Sequence, residues 1–170
     1  PPPGVFLQAT KRAEQAMRAA VSEWAGSALR LADLFAGIGA LTLGRPGKLA
    51  LFESDPPAVA AIDAARRRLA AGAVTVERRD LFRNPLTAAE LDAFDAVVLD
   101  PPRAGATAQS GELARSKVPR VIYGSCDPGS FARDARTLQD GGYRLEKLLP
   151  IDQFLWSPHV ELIALFARAP

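Results

Sequence analysis

The chain has one cysteine, one methionine and one histidine among its 170 residues. A single cysteine forms no internal disulfide and no cysteine-rich metal or iron–sulfur cage, and its free thiol belongs in a reducing, cytoplasmic setting. Long apolar runs are also missing. Although 48% of the residues are hydrophobic, no stretch approaches the roughly 20 residues needed to cross a bilayer, and no secretory leader pattern is present. Nor is there an excess of charge, since 21 basic residues against 19 acidic ones leave a net charge of +2. Lysine is scarce, and arginine runs stand at Arg66-Arg67-Arg68 and Arg78-Arg79. Arginine suits phosphate contacts, but it equally suits helix surfaces, and both readings stay open.

What is present is a regular alternation. Short apolar runs at Leu29 to Phe35, Lys48 to Phe52, Val74 to Glu77, Ala96 to Leu99 and Val121 to Tyr123 read as strands. Helical stretches at Pro57 to Ala71, Ala106 to Arg115 and Ser130 to Gln139 lie between them, after an amphipathic helix over Ala9 to Trp24. This alternation predicts an α/β chain with a mostly parallel sheet and helices on both faces. Tyr143 to Leu149 and Val160 to Ala167 are strand-like with no helix between them, so they are expected to pair as an antiparallel edge. The expected organisation is one domain over residues 9–170, preceded by a linker and amino-terminal motif over residues 1–8 that opens Pro1-Pro2-Pro3-Gly4 without an initiator methionine. Such a start predicts a fragment of a longer chain.

Four strand ends carry candidate chemistry. Leu31 to Ala40 runs from a strand into Gly37-Ile38-Gly39, a turn expected to open a short helix whose amino terminus favours an anion. A dinucleotide-binding loop would have a third glycine where Thr42 stands, so the Rossmann fingerprint fails. The next strand ends in a second acid, Glu53. Ala96 to Leu99 ends in Asp100-Pro101-Pro102-Arg103, where two stiff prolines fix the direction of the chain and aim Asp100 and Arg103. Val121 to Tyr123 breaks off at Gly124-Ser125-Cys126-Asp127-Pro128, placing the cysteine at the end of a strand, where α/β sheets hold their ligands. Read from position alone, Cys126 is either a nucleophile or a small buried apolar residue.

An acid at a strand end, two glycines and then Glu53 together resemble the class I S-adenosylmethionine (SAM) methyltransferases. A narrower resemblance rests on Asp100-Pro101-Pro102-Arg103-Ala104-Gly105, on Tyr123-Gly124-Ser125-Cys126-Asp127-Pro128 with Ala132-Arg133-Asp134 downstream, on Phe154 with Ser157, His159, Val160 and Glu161, and on Phe6-Leu7-Gln8. In that order these motifs are similar to those of the RNA uracil-5-methyltransferase family. The resemblance implies a Rossmann-like seven-stranded fold with an antiparallel edge strand. It implies SAM as cofactor and methylation at C5 of a uridine in ribosomal or transfer RNA, in a monomeric protein without metal. Cys126 would be the nucleophile and Glu161 the base that removes the C5 proton. Gln8, Phe35, Gly37, Gly39, Ala40, Glu53 and Asp100 would line the cofactor pocket, Ala40 through its backbone alone, and Arg103 would face the substrate.

A protonated thiol is a poor nucleophile, so Cys126 is expected to draw activation from Arg103 and from the helix near Ser130. Asp33 and Asp80 read either as pocket residues or as cap and turn residues, Glu161 either as a base or as an exposed strand carboxylate, and His159 as a structural or orienting residue. Departures from the family pattern are Thr10 and Asp127, each where Asn is common, and Leu155-Trp156 before Ser157. Family members generally carry an amino-terminal RNA-binding domain, which nothing in this chain matches. RNA cytosine-5 methylation would need a second cysteine. Direct N-methylation would make Cys126 dispensable, and a silent SAM- or RNA-binding module remains the alternative outside enzymes.

Overall fold

The computed structural model describes residues 11–68, 73–151 and 161–168. Helix α1 (Lys11–Ala25) leads into β1 (Arg30–Leu34) and β2 (Lys48–Glu53), followed by α2 (Pro56–Arg68), β3 (Val74–Arg78), α3 (Ala88–Leu91) and β4 (Ala96–Leu99). Then come α4 (Thr107–Arg115), β5 (Arg120–Ser125), α5 (Pro128–Asp140), β6 (Tyr143–Ile151) and β7 (Glu161–Arg168). The strands form one sheet in the order β3-β2-β1-β4-β5-β7-β6. β3, β2, β1, β4 and β5 run parallel, whereas β7 is antiparallel to both β5 and β6. The mostly parallel sheet read from the sequence is therefore present. Its antiparallel strand stands one place in from the edge.

Why β7 lies inside and β6 outside follows from their side chains. Alternate residues of a strand point to opposite faces, so a strand covered on both faces needs a continuous apolar run. In β7, Leu162, Ala164 and Phe166 enter one core while Ile163 and Leu165 enter the other. In β6 only Tyr143 and Ile151, its two ends, are buried. A register irregularity between Leu145 and Lys147, together with Pro150, suits this strand to an edge.

Helices cover both faces. Ala13, Met17, Ala20, Val21 and Trp24 of α1, with Ile62 of α2, pack with Leu31, Leu51, Val98 and Ile122 on one side. Leu91, Leu113, Phe131 and Leu138 of α3, α4 and α5 pack with Leu34, Val97, Leu99 and Tyr123 on the other. The arginine run at Arg66 to Arg68 falls in the last turn of α2, where positive charge meets the negative end of the helix dipole favourably.

Two segments differ from expectation. After Gly39 the chain makes successive turns and no helix, with a single helical-type bond from the Leu43 amide to the Gly39 carbonyl at 2.9 Å. Gly44, Pro46 and Gly47 leave too few residues to offset the cost of nucleating a helix. Conversely α3 is a helix that the apolar pattern does not reveal. Its signal is the Thr87-x-x-Glu90 capping box, in which each end of the pair satisfies the other's backbone amide.

Arg79 closes that region. It donates to Glu90 Oε1 at 2.7 Å and Oε2 at 3.1 Å, and to the carbonyls of Asn84 at 2.8 Å and Pro85 at 2.8 Å. This pairing, followed by the Thr87 amide, holds the Glu90 carboxyl below its ordinary 4.5, at about 2. A carboxyl lowered on folding stabilises the fold above its unfolded pKa and loses that contribution as pH falls towards the folded one. Glu90→Gln is expected to cost about 1 kcal/mol at pH 7, as for a screened ion pair, or roughly 2–4 °C in Tm. Melting curves of the two proteins should converge on acidification towards pH 2.

Candidate active site

The parallel strands β1, β2, β4 and β5 end on the same side of the sheet, and the reversed β7 begins there. Register then decides which side chains meet. Ser125 pairs with Leu162 in the antiparallel ladder, so the next residues outward, Cys126 and Glu161, lie opposite each other. Leu99 pairs with Tyr123 in the parallel ladder, which sets Asp100 beside Gly124. A Cβ on Gly124 would stand 2.6 Å from Asp100 Oδ1, so only glycine leaves room for that carboxylate. Asp100, Cys126 and Glu161 thus occupy three neighbouring strands at one rim.

Glu161 is 3% exposed, which excludes its reading as a solvated strand carboxylate. Cys126 is half-buried, unlike a cysteine that merely fills a core. Arg103 follows the two prolines and is exposed. Its cation lowers the Cys126 pKa, as expected, but does not prevail. Burial first, and then the Asp100 and Glu161 carboxylates, push the thiol above its ordinary value. The expected net activation by Arg103 and the following helix is therefore absent in the free protein, because two carboxylates and desolvation outweigh one guanidinium.

The loop after β1 forms the other half of the crevice. Phe35 has φ 59°, the single positive value for a non-glycine among the described residues, and its ring packs against Phe82 with centroids 5.3 Å apart. A backbone held in this sparsely populated region is strained and persists only where its surroundings fix it. The Ala36 amide does so by donating to the Phe52 carbonyl at 3.1 Å. Glu53 is bound by backbone: Oε2 accepts from the Gly37 amide at 2.8 Å, and Oε1 accepts from the Ser54 and Asp55 amides at 2.7 and 2.9 Å. Oε1 also takes the Ser54 hydroxyl at 3.3 Å, so the further acceptor site is on Oε2, which accepts from the Gly37 amide alone.

The two glycines differ in purpose. A Cβ on Gly37 would meet nothing within 4 Å, so it faces open space, whereas one on Gly39 would strike Leu43 and Leu51. Gly37 leaves the approach to Glu53 clear; Gly39 serves packing. The Ala40 carbonyl accepts from Arg18 at 3.4 Å. The helix amino terminus expected to favour an anion is absent, since only turns follow Gly39.

Thr42, which stands where a third glycine was sought, donates its hydroxyl to buried Asp33 at 2.5 Å. Burial raises Asp33 to about 7, with Asp100 and Glu53 adding to the rise. Burial likewise raises Asp100 to about 6. Three strand tips therefore bring carboxylates within electrostatic reach of one another, a setting that favours a cationic ligand. Among the described residues no group of three or more His, Cys, Asp or Glu side chains is placed to hold a metal ion. Asp80 turns out to be a turn residue, accepting from the Phe82 amide at 3.0 Å. Asp127 caps α5, accepting from the Ser130 amide at 2.7 Å, a position in which Asp and Asn serve equally. Gln8, Phe154, Ser157 and His159 lie outside the described residues.

The sequence profile of the tRNA (uracil-5-)-methyltransferase family matches residues 21–169. The chain belongs to that family. An uncharacterised RNA methyltransferase of Rhizobium meliloti is 54% identical over 167 residues, covering 96% of this chain and 40% of that protein. The 23S rRNA (uracil(1939)-C(5))-methyltransferase RlmD of Chromohalobacter salexigens is 34% identical over 98% of this chain and 35% of its own length. The chain thus spans about two fifths of the curated relatives it matches.

Among solved structures, the Pyrococcus abyssi tRNA (uracil-54, C5)-methyltransferase in complex with S-adenosyl-L-homocysteine superposes with TM-score 0.84 at 27% identity, over 97% of this chain and 41% of that one. The Synechocystis magnesium protoporphyrin IX methyltransferase, at TM-score 0.72 and 18% identity, covers 93% of this chain and 81% of its own and shares the fold alone. The sheet is that of the class I methyltransferases.

The electrostatics of Cys126 have a direct readout in the pH dependence of its alkylation by iodoacetamide. In the free protein the midpoint is expected above the ordinary thiol value of about 8.5. Asp100→Asn removes a repelling charge and should lower it, while Arg103→Ala removes a stabilising cation and should raise it. Equal midpoints in all three proteins would show that neither charge reaches the thiol.

Proposed function

We propose that this chain is the catalytic part of a SAM-dependent RNA methyltransferase acting at C5 of a uridine, in ribosomal or transfer RNA. The observation that carries the reading is the ladder register that sets the lone cysteine opposite a buried glutamate. Family membership and the P. abyssi structure support it. A nucleophilic free thiol also supports a reducing, cytoplasmic setting.

The residues present fit the cofactor. Glu53, oriented by three amides beside the open space at Gly37, keeps acceptor capacity on Oε2 for a ribose hydroxyl. Asp33 and Asp100 supply negative potential next to it for a ligand carrying positive charge. When bound, SAM supplies an electrophilic methyl group on a sulfonium sulfur.

Uracil C5 is too weak a nucleophile to take that methyl unaided. In the proposed mechanism the Cys126 thiolate adds to C6, and the electron pair of the C5–C6 double bond is displaced into an enolate with nucleophilic character at C5. C5 then bears both the new methyl and its original hydrogen. Glu161, within electrostatic range of Cys126, takes that proton; the double bond re-forms and the thiolate leaves C6. Arg103, exposed at the rim, contributes a cation on the side from which RNA would arrive.

The test is the intact mass of the full-length protein after incubation with SAM and RNA containing 5-fluorouridine, whose fluorine cannot depart as a proton. A stable protein–RNA adduct is expected, lost in Cys126→Ala, which should also lower turnover of natural RNA by roughly 10⁴-fold or more. Glu161→Gln should slow turnover about 10²–10⁴-fold while accumulating adduct on natural RNA. Undiminished turnover in Cys126→Ala would overturn the covalent mechanism.

A further inference from the structure

Four residues of the family-like motifs have no chemistry in the mechanism above: Gly105, Tyr123, Arg133 and Asp134. They meet at one carboxylate. Asp134, on α5, is completely buried. Its Oδ2 accepts from the Ala106 amide at 2.6 Å and from the Tyr123 hydroxyl at 2.6 Å. Its Oδ1 accepts from Arg133 Nε at 2.9 Å, and Arg133 Nη2 stands 2.9 Å from the same oxygen. That Nη2 also donates to the Ala104 carbonyl at 2.8 Å. Gly105, with φ +75°, lies flat against the pair, since a Cβ there would come within 2.6 Å of Asp134 Oδ2 and 2.5 Å of Arg133 Nη2.

A carboxylate taken wholly out of water is costly, and burying it with a guanidinium and two further donors does little for net stability. Its geometric effect is larger. The Gly105 amide donates to the Pro102 carbonyl at 2.8 Å, closing a turn whose second residue is Arg103. Asp134 and Arg133 grip that turn at the Ala104 carbonyl and the Ala106 amide. Through its hydroxyl, Tyr123 ties the same carboxylate to β5, three residues before Cys126, and the Tyr123 ring is wedged edge-on against Phe131 of α5 at 5.6 Å. Burial keeps that phenol protonated, so it remains a donor. The turn bearing Arg103 and the strand bearing Cys126 are thus referenced to one anion.

We propose that Asp134 is a positioning residue that, with Tyr123 and Arg133, holds Arg103 at a fixed distance from Cys126. The role rests on Cys126 being the nucleophile of the proposed reaction. It accounts for why a motif's glycine, another motif's tyrosine and the Arg-Asp pair on the following helix occur together: none of them reaches the reacting atoms, and all of them orient groups that do.

Asp134→Asn strips a buried charge from its partners and endangers the fold, so the test uses two milder variants of the full-length protein. Tyr123→Phe keeps the ring contact and removes one hydrogen bond; Arg133→Ala changes a half-exposed side chain. Circular dichroism confirms that each is folded. Both are expected to lower kcat on RNA about tenfold, to leave S-adenosylhomocysteine affinity within about threefold, and to raise the midpoint of Cys126 alkylation as Arg103 drifts from the thiol. A merely structural role would not move that midpoint. Folded variants with wild-type kcat and a wild-type alkylation profile would overturn the positioning role while leaving the mechanism intact. Wild-type turnover in Cys126→Ala, measured alongside, would instead overturn the mechanism and the positioning role with it.

Discussion

The reversal of one strand is the constraint on which the site depends. Parallel strands joined by helices deliver only their carboxyl ends to the ligand-binding rim, so a wholly parallel sheet would offer side chains from strand tips of one kind. β7 runs the other way beside β5, and its first residue, Glu161, arrives at the rim where β5 ends at Ser125. The Glu161 carboxylate is thereby placed one step beyond the last ladder pair, Ser125 with Leu162, on the side where Cys126 follows β5. A shift of one residue in that register would turn every β7 side chain to the opposite face, moving Leu162, Ala164 and Phe166 out of their core. The packing that stabilises β7 and the pairing that places Glu161 are one requirement.

The charges collected at this rim have a consequence for the free protein. Asp33, Asp100 and Glu53 lie on adjacent strand tips, burial raises Asp33 to about 7, and burial with the Asp100 and Glu161 carboxylates pushes the Cys126 thiol up. Thiols react as thiolates, so the burial and carboxylates that raise this thiol work against its reactivity in the free protein. Arg103 tempers this without overcoming it.

The strands were legible because buried β runs are dense in Val, Leu, Ile and Ala, and the candidate nucleophile was legible because an apolar run stops abruptly at Ser125-Cys126. Four-residue α3 was not, since a helix that short shows no apolar period; only Thr87 and Glu90 betray it. The helix expected after Gly39 failed because Gly44 and Pro46 cut the segment before propagation could offset nucleation. Thr42 read as a missing glycine, and its bond to Asp33 spans two segments that no local pattern links. The convergence of Gly105, Tyr123 and Arg133 on Asp134 is illegible for the same reason in stronger form. Its meaning exists only once α5 has packed beside the turn after β4.

Arginine abundance shows how composition misleads where geometry does not. Arg30 is paired with Asp95 at 2.6 Å, Arg66 with Asp63 at 2.6 Å and Arg79 with Glu90 at 2.7 Å. Arg45 donates to the Ala28 and Gly26 carbonyls, each at 3.0 Å, and Arg168 to the Gly141 carbonyl at 2.5 Å and the Ala114 carbonyl at 2.8 Å. A guanidinium whose donors are already committed to protein acceptors has fewer left for phosphates, and neutralised pairs release few counterions on meeting RNA. These five arginines are therefore weak evidence for a nucleic-acid surface. The function proposed above rests instead on the thiol, the buried glutamate and Arg103 brought to three neighbouring strand ends, a constellation that charge composition alone would never single out.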